Sequence, residues 1–485
     1  MANEAIWRPY SDRQAALAEA EARLAADPAD LPNAFARANL LAELGRTEAA
    51  RDAYLGVLAL DHGHEGALNN LGALLHETGF RSAARTAYEQ AVRRHPDGAM
   101  GRVNLGNLLR ADGALAQAQA QFEAALAVDP ADSEAHRGLG QTLDELGLND
   151  EAWTHHEAAY RGRSVRILPY RGEDRPLTVL TPVSAVGGNI PTRFILDDRV
   201  FQQIALVAEF ADPLEPLPAH DLVFNTVGDA DLCGLALERL PAILAASTRP
   251  VLNPPERVRA TGRAALAAAL RGVEGVRVPA MLALPRRDWL TSSVDEALER
   301  ADLGFPLLVR AAGFHTGRHF VRVERRADLD HAVAGLPGET LLGIEPLDAQ
   351  GPDGCFRKYR VMSLDGRLYP LHLAVSADWK VHYFTAALAQ NPAFRAEEAA
   401  FLEGDLATTL GQPAVDALAR VGAVLGLDYA GMDFALDSSG RVLLFEANAT
   451  MVINPPEPDP MWDYRRPAVD RALSAAKALL VQRGS

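Results

Sequence analysis

Apolar and polar positions follow two regimes along this chain. Up to about Gly162 small and aromatic residues repeat in phase. Gly45, Gly79, Gly113 and Gly147 are spaced by 34, as are Ala50, Ala84, Ala118 and Ala152. Four residues after each alanine stands Tyr54, Tyr88, Phe122 or His156, and Asn39, Gly72, Gly106 and Gly140 nearly keep the same interval. Pro28, Pro96 and Pro130 close units, with His62 in the corresponding place. This pattern predicts helix pairs turning at glycine, small residues where the helices touch, and proline ending each second helix because it lacks an N–H. Asp12 to Ala26 adds one more helix. Beyond Gly162 the phase is lost and short apolar runs alternate with turn residues.

A 34-residue period with glycine between two helices and an alanine four residues before an aromatic resembles the tetratricopeptide repeat. The resemblance implies an α-solenoid over residues 1–162 with a concave face, on which Asn69, Asn70, Asn104, Asn107 and Arg137 are candidates for contact. Two roles stay open for it: capture of a peptide, carrier or protein, or dimerisation and spacing. His156, where an aromatic is expected, marks the last unit as a cap or a docking point.

In the second regime Leu177–Pro182 and Asp221–Asn225 read as buried strands, Val200–Phe210 as a helix running into a strand, Leu232–Ala246 as a helix and Val251–Asn253 as a short strand. Strands alternating with helices predict a parallel sheet covered on both faces. The loops Gly187-Gly188-Asn189 and Asn225–Asp231 fall at strand ends, as substrate contacts or as plain turns. Pro306–Arg310 is a strand ending in a cation. A loop with Gly313 and Gly317 follows, then a strand over His319–Val323. Such a loop is a phosphate clasp or only a turn. Leu341–Asp348 is an apolar strand breaking at Glu345-Pro346-Leu347.

Near the C-terminus, Met432–Leu436 and Val442–Glu446 flank Asp437-Ser438-Ser439-Gly440, a hairpin pattern. In it Asp433 lies opposite Glu446, and Asn448, two residues on, shares the face of Glu446. Oxygen donors converging in this way suit Mg²⁺. A solvated hairpin with polar ends is the plainer reading, but Glu446 interrupts an otherwise apolar strand.

A length of 485 residues allows roughly two to four domains. The net charge of −16 is spread along the chain, which argues against nonspecific nucleic-acid or anionic-membrane binding. Basic residues in a cleft can still take a nucleotide. Cys233 and Cys355 have no metal-ligand spacing and fit reduced thiols of the cytoplasm. The N-terminus has no signal-peptide core and no run approaches the length of a membrane span, so a soluble cytoplasmic protein is expected.

The order of these pieces over roughly residues 175–480 resembles the ATP-grasp superfamily. The resemblance implies a multidomain chain: the solenoid at 1–162, a pre-ATP-grasp α/β domain at 163–255, and an ATP-grasp catalytic domain of α+β type at 256–485. By the same resemblance Arg263 and Arg310 are the two nucleotide-binding cations, and Gly313, His315, Thr316 and Gly317 belong to the mobile phosphate loop. Glu345 to Leu347 form the adenine hinge with Asp348 near the ribose. Arg360 is the arginine of a D-x-R element, and Asp433, Glu446 and Asn448 are the Mg²⁺ ligands. Arginine replaces the usual lysine at both nucleotide positions and brings a planar fork in its place. Lys358 stands where the family often has aspartate, and Gly431 where several ligases place a phosphate-holding arginine. Arg360, His372 or Lys380 are candidates for that role, and equally His372 a sheet residue and Lys380 a solvated one.

The implied activity is an ATP- and Mg²⁺-dependent carboxylate–amine ligase acting through an acyl-phosphate. Arg310, Arg360, His372 and Lys380 would serve the chemistry, on amino acid or peptide substrates. A phosphotransferase and a degenerate nucleotide-binding scaffold are the alternatives. Either the solenoid or a sheet edge offers a surface for a homodimer.

Overall fold

The computed structural model describes residues 9–311, 319–381 and 388–485. It divides into two compact units, Met1–Thr181 with Leu196–Asp221, and Pro182–Ile195 with Leu222–Ser485.

The first unit is built on a helical repeat: α1 (Tyr10–Ala26), α2 (Leu31–Glu43), α3 (Thr47–Leu60), α4 (Glu65–Glu77), α5 (Arg81–Arg94), α6 (Ala99–Ala111), α7 (Leu115–Val128), α8 (Ser133–Leu146) and α9 (Asn149–Tyr160). The glycines at the 34-residue interval sit in the turns after α2, α4, α6 and α8 with φ between +69° and +87°, a region that a β-carbon disfavours. The phased alanines Ala50, Ala84, Ala118 and Ala152 are fully buried. The aromatic four residues on fills a slot made by missing side chains. A β-carbon at Gly72 would meet the Tyr88 ring at 2.4 Å. For Phe122 the clasp is double, with Gly106 of its own pair at 2.8 Å and Gly138 of the next pair at 2.2 Å. Gly138→Ala is therefore expected to destabilise the solenoid by about 1–3 kcal/mol through overpacking. Thermal unfolding would measure it, and an unchanged midpoint would refute the clasp. His156 takes the aromatic place in the last pair, fully buried, with Nε2 2.7 Å from Asp144.

Asparagines stitch neighbouring repeats together. Asn70 donates to Asn39, which also accepts from the Tyr54 hydroxyl, and Asn104 donates to Asn69. Asn69 is buried, so this expected surface contact acts inside the solenoid. Arg137 is paired with Glu134 one turn away on α8, and Asn107 is half-buried.

Strands β1 (Val165–Ile167), β2 (Leu177–Val183) and β3 (Phe201–Val207) follow, with β3 antiparallel to β1 and beside β2. The helix expected within Val200–Phe210 is absent. The segment is β3 and a 3-10 turn over Ala208–Phe210. Six of the seven β3 residues are buried, and a strand covered on both faces reads as an unbroken apolar run that periodicity does not separate from helix. The β1–β3 pairing also departs from the expected all-parallel sheet.

In the second unit β4 (Leu222–Phe224) runs parallel to β5 (Val251–Leu252), with α10 (Gly234–Leu244) between them in sequence. Next come α11 (Pro255–Arg259), α12 (Arg263–Leu270) and β6 (Val276–Arg277). Strands β7 (Met281–Pro285), β8 (Leu307–Ala311), β9 (Phe320–Val323) and β10 (Thr340–Ile344) form an antiparallel sheet in the order β7-β10-β8-β9. Strands β11 (Phe356–Leu364), β12 (Arg367–Ser376), β13 (Tyr429–Leu436) and β14 (Val442–Asn448) form a second sheet in the order β12-β11-β13-β14-β6. It is antiparallel except for the β14–β6 pair. The β13–β14 turn is closed by Asp437, whose carboxylate accepts from the backbone N–H of Ser439 and Arg441, with Gly440 at φ +80°.

Alternation decides what each strand shows. Leu307, Val309 and Ala311 of β8 join a core with Trp289, Val294, Leu298 and Leu329, while Leu308 and Arg310 face the other way. No helix among the described residues is long and apolar enough to cross a membrane.

Candidate functional site

The two sheets of the second unit line one cleft of about 1350 Å³. From one side come Met281, Leu308, Arg310 and Ile344, and from the other Lys358, Arg360, His372, Asp433, Glu446 and Asn448.

Register explains the second group. His372 on β12 is the cross-strand partner of Arg360 on β11, Arg360 of Asp433 on β13, and Asp433 of Glu446 on β14. Directly opposed residues share a face, so four polar side chains stand in one row across four strands. Lys358 lies two residues before Arg360 and Asn448 two after Glu446, on the same face. Asp433, Glu446 and Asn448 therefore share one face of the sheet.

The carboxylates hold protein cations. Asp433 is 3% exposed. It accepts from Arg360 Nε and Nη2 at 2.6 and 2.8 Å and from Lys358 Nζ at 3.0 Å. Burial by itself would raise its pKa, but Arg360 and Lys358 override that and hold it far below the usual carboxylate range. Glu446 Oε1 accepts from Arg263 Nη2 at 2.7 Å and from Asn448 Nδ2 at 3.0 Å. Arg263 opens α12 and also reaches Asp231, with Nη1 3.2 Å from Oδ2. Burial acts to lower its pKa, yet Glu446, Asp229 and Asp231 raise it. Arg310 is lowered, first by burial and then by the charge of Arg263. His372 is pushed well below its ordinary value, chiefly by burial and next by Arg360, and so stands as a neutral imidazole.

The remaining candidates sit around this row. Glu345, at the end of β10, bonds Arg277 at 2.6 Å and the Ala280 N–H at 3.0 Å, and its own N–H donates to the Ala280 carbonyl. The backbone N–H of Glu345 is therefore already bonded within the protein. Leu347 and Asp348 line the cleft, and Asp348 also accepts from the Gln350 N–H. Lys380 lines the cleft with Nζ 3.2 Å from the Phe320 carbonyl. Phe320 lies under Arg310, whose guanidinium carbon is 5.8 Å from the ring centre. Gly313, His315, Thr316 and Gly317 lie outside the described residues.

Eight basic side chains line the cleft against five acidic ones among the described residues, in a chain of net charge −16. Four of the eight are also paired with carboxylates outside the lining, Arg263 with Asp231, Arg322 with Glu324, Arg357 with Asp353 and Glu397, and Arg465 with Glu398, so much of the basic excess is met locally.

Sequence reasoning missed several site residues. Lys358 read as a departure from a family pattern, yet it is a direct partner of Asp433; its spacing of two from Arg360 on a strand was the available clue. Asp231 meets Arg263 from 32 positions away. Glu398, fully buried, accepts from Arg465 at 2.7 and 3.0 Å, from the Tyr464 hydroxyl and from the Leu373 N–H, and so fixes Arg465 at the cleft wall beside β12.

No protein-family model and no curated protein matches the sequence. Among solved structures, the chain is similar to a crystal structure of MamA, with a TM-score of 0.28 at 21% identity over 31% of this chain and 87% of that one. It is similar to YrrB, described as a TPR protein with an unusual peptide-binding site, with a TM-score of 0.27 at 21% identity over 31% and 77%. It is also similar to pilF of Pseudomonas aeruginosa, with a TM-score of 0.29 at 20% identity over 31% and 68%. These likenesses lie in the N-terminal helical repeat.

Proposed function

We propose that the second unit is an ATP- and Mg²⁺-dependent ligase that joins a carboxylate to an amine through an acyl-phosphate. The observation that carries this reading is the row His372–Arg360–Asp433–Glu446, facing Arg310 across a single cleft. The order of basic strand, glycine loop, hinge and acidic hairpin, which resembles the ATP-grasp superfamily, supports it.

The residues fit the two groups the reading needs. The cleft is larger than the roughly 300–1,000 Å³ typical of small-molecule sites, so it can take a nucleotide and a second substrate. The donors suit a hard cation: two carboxylates on adjacent strands with an amide two residues on. Among the described residues no group of three or more His, Cys, Asp or Glu could hold a metal alone. Mg²⁺ habitually completes its shell with nucleotide phosphates and water. Asn448 now turns its oxygen toward the Thr450 N–H and hydroxyl. A half-turn of the amide would present that oxygen to the ion beside Glu446.

In this reading Asp433, Glu446 and Asn448 hold the ion, and Arg263 and Arg310 take the phosphates. Mg²⁺, when bound, neutralises charge on the transferring group. The hinge through Leu347 presents backbone groups to the base, with Asp348 toward the ribose. The substrate carboxylate oxygen takes the terminal phosphoryl group and ADP departs. The amine nitrogen then attacks the acyl carbon, the C–O bond to phosphate breaks, and the amine loses a proton. Arg360 holds the transferring phosphoryl group opposite Arg310, with His372 and Lys380 placed to orient substrate. The helical repeat recruits the peptide, carrier or protein partner.

A second reading, a nucleotide-binding scaffold without turnover, draws on the three bonds that Asp433 already accepts from Arg360 and Lys358. A phosphate-release screen of amino acids and short peptides, with mass spectrometry of the product, separates the readings. The ligase releases phosphate only with both acid and amine present. Phosphorylation of one acceptor without free phosphate would mark a phosphotransferase, and Mg²⁺–ATP binding without turnover would mark the scaffold.

A further inference from the structure

We infer that the acid accepted by this cleft is a monocarboxylate with an apolar body, and that Met451 is the residue that selects for it. The inference rests on the ligase reading above. It starts from Gly431, two residues before Asp433 on β13. A β-carbon at Gly431 would lie 2.5 Å from Cβ and 2.6 Å from Sδ of Met451, so any side chain at 431 and Met451 exclude one another. The strand after Asn448 turns back, the Met451 carbonyl accepts from the Tyr429 hydroxyl at 2.7 Å, and the thioether lies over β13 next to the row. Where the resemblance expects a cation, this chain puts a buried apolar side chain that lines the cleft.

The surroundings agree. Gly228 approaches Thr450 so closely that a β-carbon there would meet it at 2.8 Å, which holds the loop carrying Gly188 and Asn189 against this segment. Toward β12 the cleft wall is apolar, through Leu371, Leu388, Pro456, Trp462 and Val469. Trp462 is held flat under Arg465, with the guanidinium carbon 3.9 Å from the ring centre, and Arg465 is fixed by buried Glu398. A wall so fixed does not reorganise to solvate a second charge on the substrate. Lys358 and Arg360, already bonded to Asp433, stand at one end of this pocket, and the wall through Leu371, Leu388, Pro456, Trp462 and Val469 offers methylene and ring surface beside Arg465, whose guanidinium is bonded to Glu398.

The test is calorimetric titration of the full chain, saturated with Mg²⁺ and AMP-PNP, with butanoate, hexanoate and octanoate, and with glutarate as the dicarboxylate comparator. Affinity should rise by up to about fourfold per buried methylene, with glutarate at least tenfold weaker than hexanoate. Met451→Asn and, independently, Trp462→Ala should flatten the chain-length trend, while Met451→Leu should keep it. A flat series in the native protein, or glutarate binding as well as hexanoate, would overturn the inference. Loss of the ligase reading shows differently. If AMP-PNP does not bind but the Met451-sensitive trend persists without it, the pocket assignment stands and the ligase falls; if neither binds, both fall.

Discussion

Asp433→Asn is expected to destabilise the second unit by about 3–5 kcal/mol, the range for removing one partner from a buried ion pair. The reason is what the change leaves behind. Arg360 and Lys358 are about four-fifths buried in their side chains and converge on one carboxylate. Asparagine is nearly isosteric, so packing survives while two cations lose their counter-charge. Arg360 cannot shed its proton cheaply, since Asp433 raises its pKa despite its burial. Urea unfolding followed by a signal from this unit would measure the change, and a loss below about 1 kcal/mol would refute the account. The pH dependence has a definite sign. The folded pKa of Asp433 lies far below its unfolded value of about 3.9, so below that value the unfolded chain takes up the proton first. Its stabilisation is full above about pH 4 and is lost as pH falls toward the folded pKa. The asparagine variant should therefore lose stability less steeply below pH 4 than the native protein does.

Glu446→Gln should weaken Mg²⁺-dependent AMP-PNP binding by about 10²-fold or more, since even outer partners of metal ligands are worth 10–100-fold. The fold should tolerate the change. Glu446 is a quarter exposed in its side chain, and Arg263 keeps Asp231 as a partner. The cost in stability is then about 1 kcal/mol or less. Binding measured with and without Mg²⁺ isolates the effect, because the contacts proposed for the nucleotide at Arg310 and at Glu345 to Leu347 would not pass through the ion. A variant that keeps the native Mg²⁺ dependence would remove Glu446 from the metal set, whatever its turnover.

The two changes also divide the row by role. Asp433 is an electrostatic keystone for the sheet face, and Glu446 sits at its accessible edge. Both were visible in the sequence as acids on one hairpin, because a strand repeats every two residues and Asp437 to Gly440 is a recognisable turn. Their different environments were not visible. Burial of Asp433 depends on β11, which pairs with β13 from 73 positions away through Arg360, and the accessibility of Glu446 depends on the short edge strand β6, which pairs with Val442 and Leu443 and ends before reaching it.

Other elements show the same boundary. The glycines, alanines and aromatics of the repeat announced their geometry, since a positive φ or a missing β-carbon is a demand of the local backbone. Strand β3 was misread because burial on both faces erases the alternation that marks a strand. Met451 gave no signal, since its meaning comes from Gly431 across a hairpin.

By itself, then, the sequence determined the helical repeat, the acidic hairpin and the order of basic and glycine-bearing segments, because each rests on backbone periodicity and turn chemistry within a few residues. Only the tertiary structure decided which cation neutralises which carboxylate, that Asp433 is buried and Glu446 accessible, and that Met451 covers the strand at Gly431. Ion pairing and cleft shape depend on distances between side chains remote in the chain, and those distances exist only once the sheets have formed.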